Sequence, residues 1–168
     1  TTMKEVFPGI FREGNKLYTE NLVPGIKVYG EKLVNTKREW VAERSKLAAA
    51  VLNGLKEMPI KEGSRILYLG ASTGTTVSHV SDIIKLEGIV YAVEFAERVF
   101  RNLIDLAKQR KNIVAIMADA RKPEEYAWVE ECDAVYVDIA DPQESEIAIR
   151  NAKEFLKDGG YVFVAVKS

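Results

Sequence analysis

Histidine and cysteine are almost missing from this chain of 168 residues, with His79 and Cys132 the single example of each. One cysteine permits no intrachain disulfide, and the two together cannot supply the three or four nitrogen and sulfur ligands of a zinc site. No metal centre is expected, so catalysis must draw on carboxylates, lysines, hydroxyls or a cofactor. No apolar run approaches the ~18 residues of a membrane span, and the opening Thr1-Thr2-Met3-Lys4-Glu5 has no apolar stretch of the signal-peptide kind. The expectation is a cytoplasmic protein away from membranes. Neither sign of charge is in excess: 24 Lys and Arg against 25 Asp and Glu leave a formal charge of -1. That balance excludes the bulk phosphate attraction of a strongly basic, free-standing nucleic-acid binder. What is present, 47% hydrophobic and 29% charged residues, is ordinary for one globular core of this length.

The charge is unevenly spread. Residues 1 to 60 carry 10 basic and 7 acidic side chains, leaving 14 and 18 for the remainder. Residues 98 to 122 are basic, whereas 124 to 146 hold nine acids and no Lys or Arg. Such runs usually mark solvated helix faces and otherwise docking surfaces.

The first 36 residues read as a small β subdomain: Val6 to Arg12 and Lys16 to Thr19 around a turn at Glu13-Gly14-Asn15, then a second short pair at Val28 to Gly30 and Lys32 to Val34. From Arg38 to Leu55 the apolar spacing is helical. Beyond it, strand-like runs at 65 to 69, 89 to 93, 113 to 117, 134 to 137 and 161 to 166 alternate with helical patterns near 75 to 86, 96 to 110, 123 to 131 and 143 to 157. That beat predicts an α/β domain over 37 to 168, a parallel sheet flanked by helices. In such sheets ligands lie beyond the carboxyl ends of the strands.

The first strand end leads through Gly70-Ala71-Ser72-Thr73-Gly74 into a helix. The spacing matches the G-x-S-x-G nucleophile elbow, but the only histidine sits seven residues after the serine and cannot follow an acid in the triad order. It fails the G-x-G-x-x-G dinucleotide fingerprint at Ser72 and Thr75, where a pyrophosphate needs glycine. A nucleotide-like ligand without phosphates, such as S-adenosylmethionine, needs only the first turn; a plain strand-to-helix turn remains the ligand-free alternative. The second strand ends at Glu94, 24 residues after Gly70, where a carboxylate can accept from a ribose diol, with Phe95 beside it to cover an adenine. Asp119-Ala120 and Asp138-Ile139-Ala140-Asp141 close the third and fourth. A single acid at such a place is usually a cap or a solvated loop residue, but three on successive strand ends form a methyltransferase pattern.

Arg44-Ser45-Lys46-Leu47-Ala48, Leu67-Tyr68-Leu69-Gly70-Ala71 with Ser72 to Thr76, Ser78-His79-Val80-Ser81-Asp82, Tyr136-Val137-Asp138-Ile139-Ala140 and the early Asn21-Leu22-Val23-Pro24 together resemble fibrillarin, the 2′-O-methyltransferase of box C/D ribonucleoprotein particles. The resemblance spans essentially the whole chain and, without a Gly/Arg-rich N-terminal tail, points to the archaeal branch. It implies a Rossmann-like class I methyltransferase fold and S-adenosylmethionine as methyl donor. The cofactor positions would be Gly70, Ala71, Thr75, Thr76, Glu94, Phe95, Asp119, Ala120 and Asp138 to Asp141, that is, Asp138, Ile139, Ala140 and Asp141. Archaeal relatives often carry Gln at position 141, so Asp141 departs from the pattern. The family's catalytic Lys, Asp and Lys fall on Lys46, Asp138 and Lys167; its histidine belongs to a C-terminal segment not contained here, and His79 lies in a different motif. The domain is expected to lack its last strands. Implied partners are a box C/D guide RNA with target rRNA or tRNA, a Nop-family scaffold protein and, through the particle, a kink-turn-binding ribosomal-protein-like subunit. The basic N-terminal third, with Lys27, Lys32, Lys37, Arg38 and Arg44 leading to Lys46, is the expected RNA-contact region. Two other readings share the cofactor site: a non-catalytic cofactor- or scaffold-binding domain, and a methyltransferase acting on protein side chains.

The residues fit the chemistry independently. Methyl transfer from a sulfonium to a ribose hydroxyl is an in-line displacement, which requires alignment and uptake of the hydroxyl proton. Asp138 is the expected base or base-orienting acceptor, with Lys46 and Lys167 as flanking cations.

Overall fold

The computed structural model describes residues 2–166; Lys167, expected in the catalytic set, lies outside the described residues. The N-terminal part is a five-stranded antiparallel sheet in the order β1-β2-β3-β5-β4, built from β1 (Lys4–Phe7), β2 (Ile10–Glu13), β3 (Lys16–Glu20), β4 (Leu33–Val34) and β5 (Lys37–Glu39). The expected strand from Val6 to Arg12 is broken by a turn at Pro8-Gly9, where Gly9 takes φ +81°. Val28 to Gly30 form no strand; Leu33–Val34 pair instead with Lys37–Glu39. Asn35, at φ +55°, makes that hairpin because asparagine tolerates the left-handed region. The boundary placed after residue 36 therefore falls inside a hairpin, and Arg38 belongs to a strand rather than to the start of a helix. The helix there is confined to α1 (Lys46–Leu52), after a 3-10 turn at Ala42–Arg44. Ser45 caps it by accepting from the Ala48 N–H.

A second, parallel sheet follows, in the order β10-β9-β6-β7-β8. It comprises β6 (Arg65–Leu69), β7 (Ile89–Glu94), β8 (Ile113–Met117), β9 (Cys132–Val137) and β10 (Leu156–Val164), connected through α2 (Thr75–Ile84), α3 (Glu97–Gln109) and α4 (Glu144–Phe155). Only a 3-10 turn, Pro123–Tyr126, forms where a helix over 123 to 131 was expected. Side chains alternate across the strands. Ile66 and Tyr68 of β6 enter one core with α1 and α2, and Leu67 and Leu69 enter the other with α4. Chain order reverses between β6 and β9, both paired in parallel, which opens a crevice at their carboxyl ends.

The two sheets are joined by a buried polar cluster centred on Asp82 of α2. One of its carboxylate oxygens accepts from Thr19 Oγ1 (2.6 Å) and Arg38 Nε (3.0 Å), the other from Arg110 Nη1 (2.6 Å) and the Leu22 N–H (2.8 Å). Arg38 also donates to Glu31 and to Ser78 Oγ, and its side chain is fully buried. Pairing of this density offsets the cost of withdrawing these charges from water. His79 lies beside it, stacked on Trp40 with ring centroids 5.1 Å apart. Its ring nitrogens are both engaged, Nδ1 with Thr19 Oγ1 at 2.8 Å and Nε2 with the Tyr29 hydroxyl at 2.7 Å, while Thr19 donates to Asp82 and Tyr29 to the Glu39 carbonyl. Burial pushes the imidazole pKa well below its usual range, and Arg38 and Arg110 push the same way. His79 is a neutral structural residue, sealed from any substrate.

Candidate active site

At the carboxyl edge of the parallel sheet a cleft of about 350 Å³ is lined by Gly70, Ser72, Val93, Glu94, Phe95, Ala118 to Arg121, Asp138 to Asp141 and Ile147. The loops after β6, β7, β8 and β9 build it, which is why acids about two dozen residues apart in sequence converge. Gly70 sits at φ +84°, and a Cβ there would overlap the Asp138 carbonyl oxygen and the Ile139 side chain. The glycine is thus required by the adjoining strand end, rather than by the approach of a ligand alone.

The Glu94 carboxylate bridges the loop after β6 to the start of α3, accepting from the Ser72 N–H at 2.6 Å and the Ala96 N–H at 2.9 Å. A carboxylate has about four acceptor positions, so it retains capacity for a diol. Phe95 is exposed beside it. Asp119 is held by Arg121 through both oxygens, at 3.0 and 3.1 Å. Its pKa is held below the usual carboxylate value, first by that side-chain bond. Alanines at 118 and 120 leave flat space around it. Carboxylates on two sides, an exposed aromatic ring and an alanine-lined wall make this a cleft suited to a nucleoside.

Asp138 lies at the switch point. Lys46 Nζ, at the first turn of α1, is 3.5 Å from one carboxylate oxygen, and the Tyr68 hydroxyl donates to the other at 3.3 Å. Both side chains of the Lys46–Asp138 pair are partly exposed, so the pair contributes little to stability and remains open to a substrate. Lys46 and Asp138, 92 residues apart in sequence, are thus brought together as expected.

Three of the expected cofactor residues stand off the cleft wall. Ala71 is buried, Thr76 is buried with its hydroxyl 3.0 Å from Ser45 Oγ, and Thr75 faces a separate hollow lined by Lys27, Tyr29, Arg44 and Asn102. Conversely, Val93, Ala118, Arg121 and Ile147 line the cleft without having been assigned to it, and so does Ser72, read in the sequence only as part of the turn. Arg121, two residues after an expected ligand acid, had a legible signal; Ile147, on α4, had none.

A doubly wound parallel sheet with this edge defines the Rossmann-like class I S-adenosylmethionine-dependent methyltransferase fold, here with an added N-terminal antiparallel sheet. The family model for fibrillarin matches residues 1–168, and the chain belongs to that family. The fibrillarin-like rRNA/tRNA 2′-O-methyltransferase of Sulfurisphaera tokodaii is 52% identical over 174 aligned residues, covering 100% of this chain and 75% of the relative. Aeropyrum pernix fibrillarin, solved with natively bound S-adenosyl-L-methionine, superposes with a TM-score of 0.93 at 47% identity, covering 100% of this chain and 78% of that one. The fibrillarin of a solved fibrillarin/Nop5p complex gives 0.86 at 42% identity, covering 96% and 76%.

Proposed function

We propose that this chain is an S-adenosylmethionine-dependent RNA ribose 2′-O-methyltransferase, the catalytic subunit of guide-directed box C/D particles that modify rRNA and tRNA. The observation that carries the reading is the Lys46–Asp138 pair opening onto a nucleoside-shaped cleft. The family membership, and the activity named for relatives about half identical, support it.

The cleft residues fit the cofactor. Glu94 would accept from the ribose diol, Phe95 would cover the adenine, Asp119 and Ala120 would border its amine edge, and the loop Asp138 to Asp141 would border the methionine end. When bound, the sulfonium supplies an activated methyl group. Asp138 then orients the target hydroxyl and takes up its proton, while the Lys46 ammonium favours developing negative charge on oxygen. We assign Lys167 the role of a second cation. Ala71, Thr75 and Thr76 would support the loop and helix start behind the cofactor.

The scaffold partner is a Nop-family protein, in keeping with the Nop5p complex of a relative. Guide RNA would carry sequence specificity and a kink-turn-binding subunit would complete the particle, so this chain needs only local contact with RNA. Burial removes Arg38 from the expected contact set, and Lys37 is engaged with Glu20 and the Phe11 ring. Lys27 and Arg44, which border one hollow, together with Lys46, form the better RNA-facing patch.

The test is transfer of a tritiated methyl group to a guide-directed RNA in the reconstituted particle. Asp138→Ala is expected to lower transfer by at least ~10²-fold, the usual scale for a general base, while the protein still binds S-adenosylmethionine by calorimetry. Undiminished transfer by that variant would sink the assignment.

A further inference from the structure

The carboxylate of Asp138 is held from within as well as from the surface. Tyr68, in the middle of β6, is wholly buried, and its ring stacks on Tyr136 with centroids 4.6 Å apart, while Tyr136 stacks on Phe163 at 5.8 Å. These three rings occupy paired positions on β6, β9 and β10. The ladder leaves the phenol no freedom to swing away, and its hydroxyl meets the Asp138 carboxylate at 3.3 Å.

A second anchor sits at the start of α1. Ser45 Oγ accepts from Trp40 Nε1 at 2.9 Å, from the Ala48 N–H at 3.4 Å and from Thr76 Oγ1 at 3.0 Å. Burial, then the neighbouring Tyr136 and the Asp138 charge, raise the Tyr68 pKa well above its ordinary value, so it stays a donor throughout the working range. The same Ser45 caps α1, whose first residue is Lys46. One anchored serine therefore fixes the helix start that presents Lys46 to the carboxylate.

We propose that Tyr68 is a positioning residue for methyl transfer: locked in its stack with Tyr136 and Phe163 it holds one Asp138 oxygen, Lys46 on the helix that Ser45 caps addresses the other, and the carboxylate is fixed toward the target hydroxyl. The proposal rests on the role given to Asp138 above.

The experiment measures single-turnover methyl transfer in the complete particle, at saturating cofactor, for wild type and Tyr68→Phe, together with S-adenosylmethionine affinity by calorimetry and the substrate-RNA concentration at half-maximal rate. Tyr68→Phe keeps the stacked ring and is expected to slow transfer by about 10-fold, the scale of one hydrogen bond to a charged group. Cofactor affinity and half-saturating RNA should stay unchanged within about two-fold. A Tyr68→Phe rate within about two-fold of wild type overturns the proposal. So does a rate loss matched by weaker binding of cofactor or RNA. Absent transfer by wild type, or full transfer by Asp138→Ala, would instead defeat the underlying functional reading.

Discussion

Gly70 illustrates how much of the site depends on atoms that are absent. Its left-handed backbone would cost an alanine about 1–2 kcal/mol, and the added Cβ would overlap the Asp138 backbone, forcing the loop after β9 outward. Gly70→Ala is therefore expected to lose more stability than the backbone term alone in denaturant titrations, and to weaken calorimetric binding of S-adenosylmethionine. A variant of wild-type stability and affinity would show that β9 yields at no cost. The carboxylates were the most legible residues in the sequence, since strand ends and acidic character can be read together. Their internal partners were less so. The closeness of Arg121 to Asp119 could be read, but nothing in the order of residues shows that Glu94 ties together its own loops.

Among the elements, β6 and β8 have the limits that their apolar runs predict, because a strand buried on both faces reads as a continuous hydrophobic run. The region from Arg38 to Leu55 misled for an equally physical reason. Trp40, Leu47, Ala48 and Val51 are all buried and fall at helical spacing, but only Lys46–Leu52 form an α-helix. Arg38 is captured by Asp82, 44 residues away, an ion pair that no local pattern announces. Helix α2 has the complementary character, with every residue from Thr76 to Ile84 buried, so its polar side chains face partners rather than water. His79 on this helix gives it a measurable signature. In the unfolded chain the imidazole titrates near 6.5, whereas the folded value is held well below that. As pH falls below about 6.5 the unfolded state binds a proton that the folded state refuses, so stability falls, by up to ~1.4 kcal/mol per pH unit, until the folded group titrates as well. Denaturant titrations between pH 7.5 and 5 should show this slope in the wild type and its loss in His79→Gln. With no other histidine in the chain, equal slopes in both proteins would exclude His79 as the cause.

For the whole molecule, the small N-terminal sheet is no appendage: it meets α2 at the Asp82 cluster, and β5 leads directly into the turn that delivers Lys46. Near-zero net charge conceals this arrangement, since part of the basic N-terminal third is spent internally on Asp82 and Glu31. Removing the central acid should strand the Arg110 guanidinium while Arg38 keeps Glu31, and Asp82→Asn is expected to cost about 3–5 kcal/mol, read from chemical denaturation. That cost should also depend on heat. Hydration of charged groups becomes less favourable as temperature rises, so the penalty for burying them shrinks, and an intact cluster gains relative to its solvated parts. Repeating the titrations from 25 to 70 °C should find the gap between wild type and Asp82→Asn widening, and a constant or narrowing gap would refute this. The junction between the two sheets is thus a joint whose ionic grip strengthens on warming.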